Sequence, residues 1–323
     1  MIADLSVLDA GEKIGEIKTQ IEKVFIGQTD LVERVLISLF AGGHVLVEGV
    51  PGLGKTLLVR AIAAALNQQS SRIQFTPDLM PSDITGSIML DSKGASFITK
   101  KGPVFTNILI ADELNRAPAK TQAALFEAMQ EYQVSLDGES HALPQPFMVL
   151  ATENPLEHEG TYPLPDAQKD RFLMKVLLDY PPIEDEKLMA KLILNGSSGA
   201  TLSVENVQAV ISIEEFLAIQ KTVTTIRIED PVIDYAVRLV NATRKNAGVQ
   251  NGAGPRASLA LLRCARALAL MQGRDFVIPD DIKNIAINVL SHRISLSGES
   301  ELEGKTEIGV VQKILSSVDA PRD

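Results

Sequence analysis

The run Gly49-Val50-Pro51-Gly52-Leu53-Gly54-Lys55-Thr56 has the residue types and spacing of a phosphate cradle, G-x-x-x-x-G-K-[ST]. Its glycines let successive backbone N–H groups converge on phosphate oxygens with no side chain in the way. A helix starting near Lys55 would add the positive end of its dipole. In such a cradle Lys55 would reach the β- and γ-phosphates, and the Thr56 hydroxyl would ligate Mg²⁺. An apolar run, His-Val-Leu-Val-Glu, precedes the motif, and a Leu/Ala-rich helical pattern over Thr56–Leu66 follows it. That strand–loop–helix context separates it from a fortuitous glycine loop.

Two further runs end in polar groups of matching chemistry. Ile108-Leu109-Ile110-Ala111 stops abruptly at Asp112-Glu113. In a parallel sheet, ligands bind beyond the carboxyl ends of the strands. Asp112 would there hold Mg²⁺ through a bound water, and Glu113 would orient or deprotonate an attacking water. By itself such an acidic pair could equally supply charge to a helix N-terminus. Met148-Val149-Leu150-Ala151-Thr152-Glu153-Asn154-Pro155 is the third run. Asn154 could hydrogen-bond the attacking water or the γ-phosphate. Thr152 is the rival for that role, and an Asn before Pro is also a common turn residue. Together the three runs predict hydrolysis of ATP with Mg²⁺.

The elements that must position these residues are legible in outline. Five β candidates, His44–Glu48, Arg72–Thr76, Ile108–Asp112, Phe147–Thr152 and Phe172–Leu178, include continuous apolar runs, as strands buried on both faces should. Asp30 to Phe40 has apolar residues at helical spacing, with Asp30 as a candidate cap and Gly42-Gly43 as a stop. Two long connections contain hairpin patterns. One turns at Asp91–Gly94, and the other at Asp137-Gly138, a strong short-range turn signal. Ordered insertions of this kind are often functional, although both could be surface decoration. Tyr180-Pro181-Pro182 breaks regular structure. Residues 1–180 are therefore expected to form an α/β domain with a parallel five-stranded sheet and two inserted hairpins, and residues 183–323 an all-α domain.

Bulk composition narrows the function classes. A chain of 323 residues with 45% apolar residues is globular and long enough for about two domains. No apolar stretch reaches the ~18 residues of a membrane span. The N-terminal residues lack a secretory pattern, and the single cysteine, Cys264, can form no internal disulfide. A cytoplasmic location is the expectation. The net charge is −10 without a Lys/Arg run, Trp is absent, and aromatics are 4%. Both the counterion-releasing face that duplex binding needs and the stacking platforms for single strands are thus disfavoured. A nucleic-acid-dependent motor remains the alternative reading. His44, His141, His158 and His292 show no metal-ligand spacing, and Cys264 falls on an apolar helix face.

With these residues in view the chain resembles the AAA+ ATPases, and specifically the MoxR family. The resemblance rests on Gly49–Thr56, Ile110–Ala117, Ala151–Pro155, the stretch Glu159–Phe172 with its Asp170-Arg171-Phe172, and Gly254-Pro255-Arg256-Ala257. It implies an AAA+ core followed by a helical lid, and it likens the two hairpins to the helix-2 insert and the pre-sensor-1 hairpin. It further implies that Asn154 is sensor 1, that Arg171 is an arginine finger offered to the neighbouring subunit, and that Arg256 is sensor 2. Ile26-Gly27-Gln28 would contact adenine through backbone. Arg171 could instead be ion-paired with Asp170 or Asp166, and Arg116 could contact a neighbour or be structural. Arg263 lies on nearly the same helix face as Arg256; one of the two would face the γ-phosphate, and Arg256, at the helix start beside Gly254-Pro255, is the favoured one, Arg263 being solvated or ion-paired. Family members form homo-oligomeric rings, commonly hexamers, with chaperone-like assembly or activation of protein clients, often beside proteins carrying a von Willebrand factor A domain.

Overall fold

The computed structural model describes residues 5–49, 53–90, 97–154, 161–196 and 204–321. Two helices come first, α1 (Val7–Glu22) and α2 (Thr29–Phe40), followed by β1 (Val45–Gly49), α3 (Lys55–Ala65) and β2 (Ser70–Gln74). Next are α4 (Pro81–Thr85), the hairpin strands β3 (Gly86–Leu90) and β4 (Phe97–Lys101), β5 (Ile108–Asp112) and α5 (Ala119–Glu131). A second hairpin, β6 (Gln133–Leu136) and β7 (Glu139–Ala142), leads to β8 (Met148–Glu153), α6 (Asp166–Lys169) and β9 (Met174–Leu178). The central sheet is five-stranded in the order β2-β5-β8-β1-β9, with every pairing parallel.

Sequence alternation decides which face each strand residue serves. Val45, Val47, Ile108, Ile110, Met148 and Leu150 join one apolar cluster. Leu46, Ile73, Leu109, Ala111, Val149 and Ala151 join the other. This is the period-two rule applied to strands buried on both faces. Burying each such Val, Leu or Ile contributes about 1.5–3 kcal/mol. Helices α1, α2 and α3 cover the first face, while α5 covers the second.

A helical lid follows: α7 (Ile183–Gly196), α8 (Ile213–Thr225), α9 (Asp230–Lys245), the short strand β10 (Val249–Asn251), α10 (Pro255–Met271) and α11 (Pro279–Leu290). A 3₁₀ turn, Ser291–Arg293, then leads to β11 (Ser295–Leu296), α12 (Gly298–Leu302) and α13 (Glu307–Ser317). Lid side chains such as Phe216, Leu261, Ile285 and Val311 belong to the same cluster as α1–α3. The lid therefore extends one face of the sheet. Among the described residues it contributes none to the lining of the cavity beyond the strand ends described below.

Local expectations fare differently. The β5 boundaries match, β2 begins and ends two residues earlier, and β9 starts two residues later, although Leu173 N–H already bonds His44 O at 2.8 Å. Asp30 does not cap α2: the N-cap position is Gln28, and Asp30 pairs with Arg34 at 3.0 Å. The helix stops where expected, Gly43 N–H bonding Ser38 O at 2.8 Å. Asp137 and Gly138 both take positive φ, 50° and 82°, as a two-residue hairpin turn demands. The tip of the other hairpin, 91–96, lies outside the described residues.

Candidate nucleotide site

Strand alternation aims the site. Arg72 and Gln74 on β2 and Asp112 on β5 share parity with the residues facing α3, as do Thr152 and Asn154 at the end of β8 and Gly49 closing β1. These six line one cavity with Gly54, Lys55, Thr56 and Glu113. Gly54 caps α3 in the left-handed region, φ 78°, where a side chain would be strained and a Cβ would lie 3.3 Å from the Phe25 ring. Lys55 opens α3, and its Nζ donates to Gly49 O at 2.8 Å. Burial lowers the Lys55 pKa, while Asp112 and Glu113 oppose that shift. Leu53 borders the same loop, half-buried. Val50, Pro51 and Gly52 lie outside the described residues.

The two acids are held differently. Asp112 is 8% exposed; its Oδ1 accepts from Thr152 Oγ1 at 3.2 Å and its Oδ2 from Arg72 Nε at 2.7 Å. Arg72 also donates to Gln74 Oε1 at 2.7 Å. Glu113 takes φ 56°, ψ 48°, a left-handed conformation costly for a residue with a side chain. Its backbone N–H donates to Thr152 Oγ1 at 3.0 Å, and its Oε2 accepts from Arg116 at 2.9 Å. Thr152 thus stands between both acids. Thr56 and Asp112 present hard oxygens on one cavity, a donor set suited to Mg²⁺, which takes one or two protein oxygens plus phosphate and water. Among the described residues no His/Cys/Asp/Glu cluster offers a dedicated metal cage.

Gly27 and Gln28 do not line this cavity. Gln28 Nε2 donates to Asp179 O at 2.7 Å, and Gly27 abuts Pro181 and Asp185 at the exit from β9. The Phe25 ring beside Gly54 links this segment to the loop.

Arg171 and Arg256 line a second cavity, with Gly43, His44, Asp170, Arg263 and Arg293. His44 and Gly49 bracket β1, so the two cavities sit at opposite ends of that strand, roughly 16 Å apart at about 3.3 Å per residue. The expectation that Arg256 or Arg263 faces the γ-phosphate of its own chain is not met by this arrangement, because both line the cavity at the His44 end of β1. Arg263 is solvent-exposed, and instead of forming an ion pair it donates to the carbonyls of Ala41 and Gly42 at 2.6 and 2.9 Å. Arg256 meets Asp170 at 3.5 Å. Arg171 forms no ion pair with Asp170 or Asp166. It lies over the Phe126 ring at 5.6 Å, with one long bond to Phe126 O at 3.4 Å and a buried Nε that has no partner.

Sequence reasoning missed Arg72, Gln74 and the bridging role of Thr152. The signal for the first two was in Ser-Ser-Arg-Ile-Gln, where polar residues alternate about the buried Ile73. His44, His292 and Cys264 are structural, and His158 lies outside the described residues. His44 Nε2–H donates to Met129 O at 3.0 Å and Nδ1 accepts from Val149 N–H at 3.0 Å, which fixes a neutral tautomer. Burial pulls its pKa down to about 4. Cys264 is fully buried, and burial pushes its thiol up to about 12.

Comparison with known proteins agrees with this geometry. The ATPase family associated with various cellular activities (AAA) matches residues 44–174, and an AAA lid domain matches residues 241–314. The Chaperone MoxR1 of Mycobacterium tuberculosis is 42% identical over 94% of this chain and 81% of its own length. The chain belongs to the MoxR family of AAA+ ATPases. Another relative of this MoxR-family chain, the YeaC protein of Bacillus subtilis, is 44% identical over 95% of both chains. A crystal structure from Cytophaga hutchinsonii, assigned as an ATPase, superposes with a TM-score of 0.91 at 41% identity, covering 98% of this chain and 97% of that one. The MoxR-family chain is thus an ATPase with an AAA+ core and a helical lid. No helix among its described residues is long and apolar enough to cross a membrane.

Proposed function

We propose that residues 1–180 bind and hydrolyse ATP with Mg²⁺ in the cavity beyond β1, β5 and β8, with residues 183–323 as the lid, and that the cycle remodels, assembles or activates protein clients. The observation that carries this reading is the convergence of Lys55, Thr56, Asp112, Glu113, Thr152 and Asn154 on one cavity. The amides of residues 49–56 and the Lys55 ammonium hold the triphosphate. Thr56 and Asp112 hold Mg²⁺, which when bound neutralises charge on the β- and γ-oxygens. Glu113 accepts a proton from the attacking water, and Asn154 orients that water. Gly27 and Gln28 border the adenine.

The second cavity fits the same reading. Arg171 and Arg256 lie at the far end of β1 from their own phosphate loop, so they serve the ATP of the next copy in a homo-oligomeric ring, six copies being the usual family number. The client is a protein, with von Willebrand factor A domain proteins the first class to test. That step rests on family analogy.

The test compares two variants by nucleotide titration and phosphate release. Lys55→Ala should lose ATP affinity. Glu113→Gln should keep affinity while turnover falls about 10²- to 10⁴-fold. Near-normal turnover in Glu113→Gln would show that another base acts. The same variant held with ATP is the bait for clients.

A further inference from the structure

The turn that carries Arg171 is gripped from the lid. Within Ser291–Arg293, His292 Nε2 donates to Phe172 O at 3.1 Å. Arg293 donates from Nε to Asp170 Oδ1 at 2.7 Å, from NH2 to Phe172 O at 2.6 Å and from NH1 to Leu173 O at 3.2 Å. It also reaches back to Val289 O on α11. Two residues further on, Ser295 Oγ donates to Asp166 Oδ2 at 2.7 Å. The Arg293 side chain is 2% exposed. A buried guanidinium with carboxylate and carbonyl partners is a rigid fork, and its loss would leave several acceptors unsatisfied. The residues on both sides of Arg171 are thus held by a lid element, Asp170 through its carboxylate and Phe172 and Leu173 through their carbonyls. The Arg171 side chain itself has one long hydrogen bond and a ring contact. Its base is held and its tip is free to meet something else. Asp170 ties this assembly to Arg256, the second basic group of the cavity, through its other oxygen.

We propose that Arg293 and His292 are positioning residues for Arg171, so that the lid of one subunit sets the arginine presented to the next subunit's ATP. The proposal rests on the neighbour-directed reading of Arg171 given above. Its consequence is that lid and finger move as one body, and a lid displaced in one subunit misaligns the finger across the interface. A shift of about 1 Å in a positioned group can cost on the order of 10²-fold in rate. Binding of ATP itself, which uses the other end of β1, is spared.

Mixed assemblies separate the two ideas. A chain carrying Lys55→Ala can only donate Arg171, and a chain carrying Arg171→Ala can only receive it. Their mixture should regain phosphate release, and no recovery would overturn the neighbour-directed reading and this proposal with it. Arg293→Lys is then added to the donor or to the receiver chain. In the donor it should cut the recovered turnover by about tenfold or more with KM for ATP unchanged, since a misplaced finger affects the transition state. In the receiver it should leave the recovery intact. Equal loss on both sides marks a general folding role, and no loss in the donor removes the positioning role; either result overturns the proposal. If thermal melting shows that Arg293→Lys does not fold, Asp170→Asn, on a partly exposed residue of the same shape, decides by the same comparison.

Discussion

Thr152 shows how one hydroxyl can organise two acids with different tasks. Its oxygen accepts the Glu113 N–H while its proton goes to Asp112 Oδ1. The first bond supports the left-handed backbone of Glu113, which without it would be strained for no return. The second fixes the rotamer of the proposed metal ligand. Thr152→Val keeps the shape and removes both bonds, leaving the Glu113 N–H without this acceptor. An unsatisfied buried group costs about 1–3 kcal/mol. Expressed in the barrier, that is about 5- to 150-fold in turnover. Steady-state phosphate release with a Mg²⁺ titration would read it: kcat should fall, and more Mg²⁺ should be needed for half-maximal rate. Unchanged kcat would mean that Thr152 only fills space. Asn154 and Thr152 stood as rivals in the sequence because both follow the same apolar run. The strand places both on one face, and both line the cavity.

At the scale of elements, the sequence specified strands more sharply than their surroundings. The β5 run ends at a charge, so its boundary was readable to the residue. The β2 run is short and mostly polar, and Arg72 and Gln74 were overlooked for that reason. The phosphate loop was legible because glycine spacing, a lysine and a hydroxyl leave few other uses. The position of the lid was not legible: successive amphipathic helices announce burial but do not say against which sheet face. Arg256 was accordingly expected at the phosphate and is found at the far end of β1. One constraint links strand pairing directly to the site. A Cβ on Gly49 would stand 2.5 Å from Leu178 O and 2.8 Å from Leu178 Cβ, so β1 can run against β9 at this point only with glycine. Gly49 O also accepts the Lys55 ammonium. Gly49→Ala should therefore destabilise the chain by about 1–3 kcal/mol, as overpacking does. It should also weaken nucleotide binding by moving the carbonyl that holds Lys55. Chemical denaturation and nucleotide titration of the same protein check both; a stable variant with native affinity would show that β9 gives way freely.

The whole molecule is stapled at two places by neutral buried histidines. His44 joins the start of β1 to β8 through Val149 and to the end of α5 through Met129. His292 joins the lid to the turn before β9 through Phe172 O. Burial lowers the pKa of both, that of His44 to about 4 and that of His292 well below its ordinary value, where Arg293 adds repulsion. Well above pH 6.5 neither the folded nor the unfolded chain protonates these rings, and their contribution to stability is constant. As pH falls below that value the unfolded chain takes up protons that the folded chain refuses. Stability must then decline, down to the folded pKa, by at most about 3 kcal/mol for His44. His292 acts in the same direction. Most paired carboxylates begin to protonate nearer pH 5 and below, and Glu153, whose pKa burial raises, acts in the opposite sense, so a decline over the interval from about 6.5 to 5.5 reports the histidines. Urea denaturation midpoints across that interval should fall steadily and should be flat between about pH 7 and 8. A midpoint that is flat down to pH 5.5 would mean that the rings are solvated in the folded chain and hold neither sheet nor lid in place.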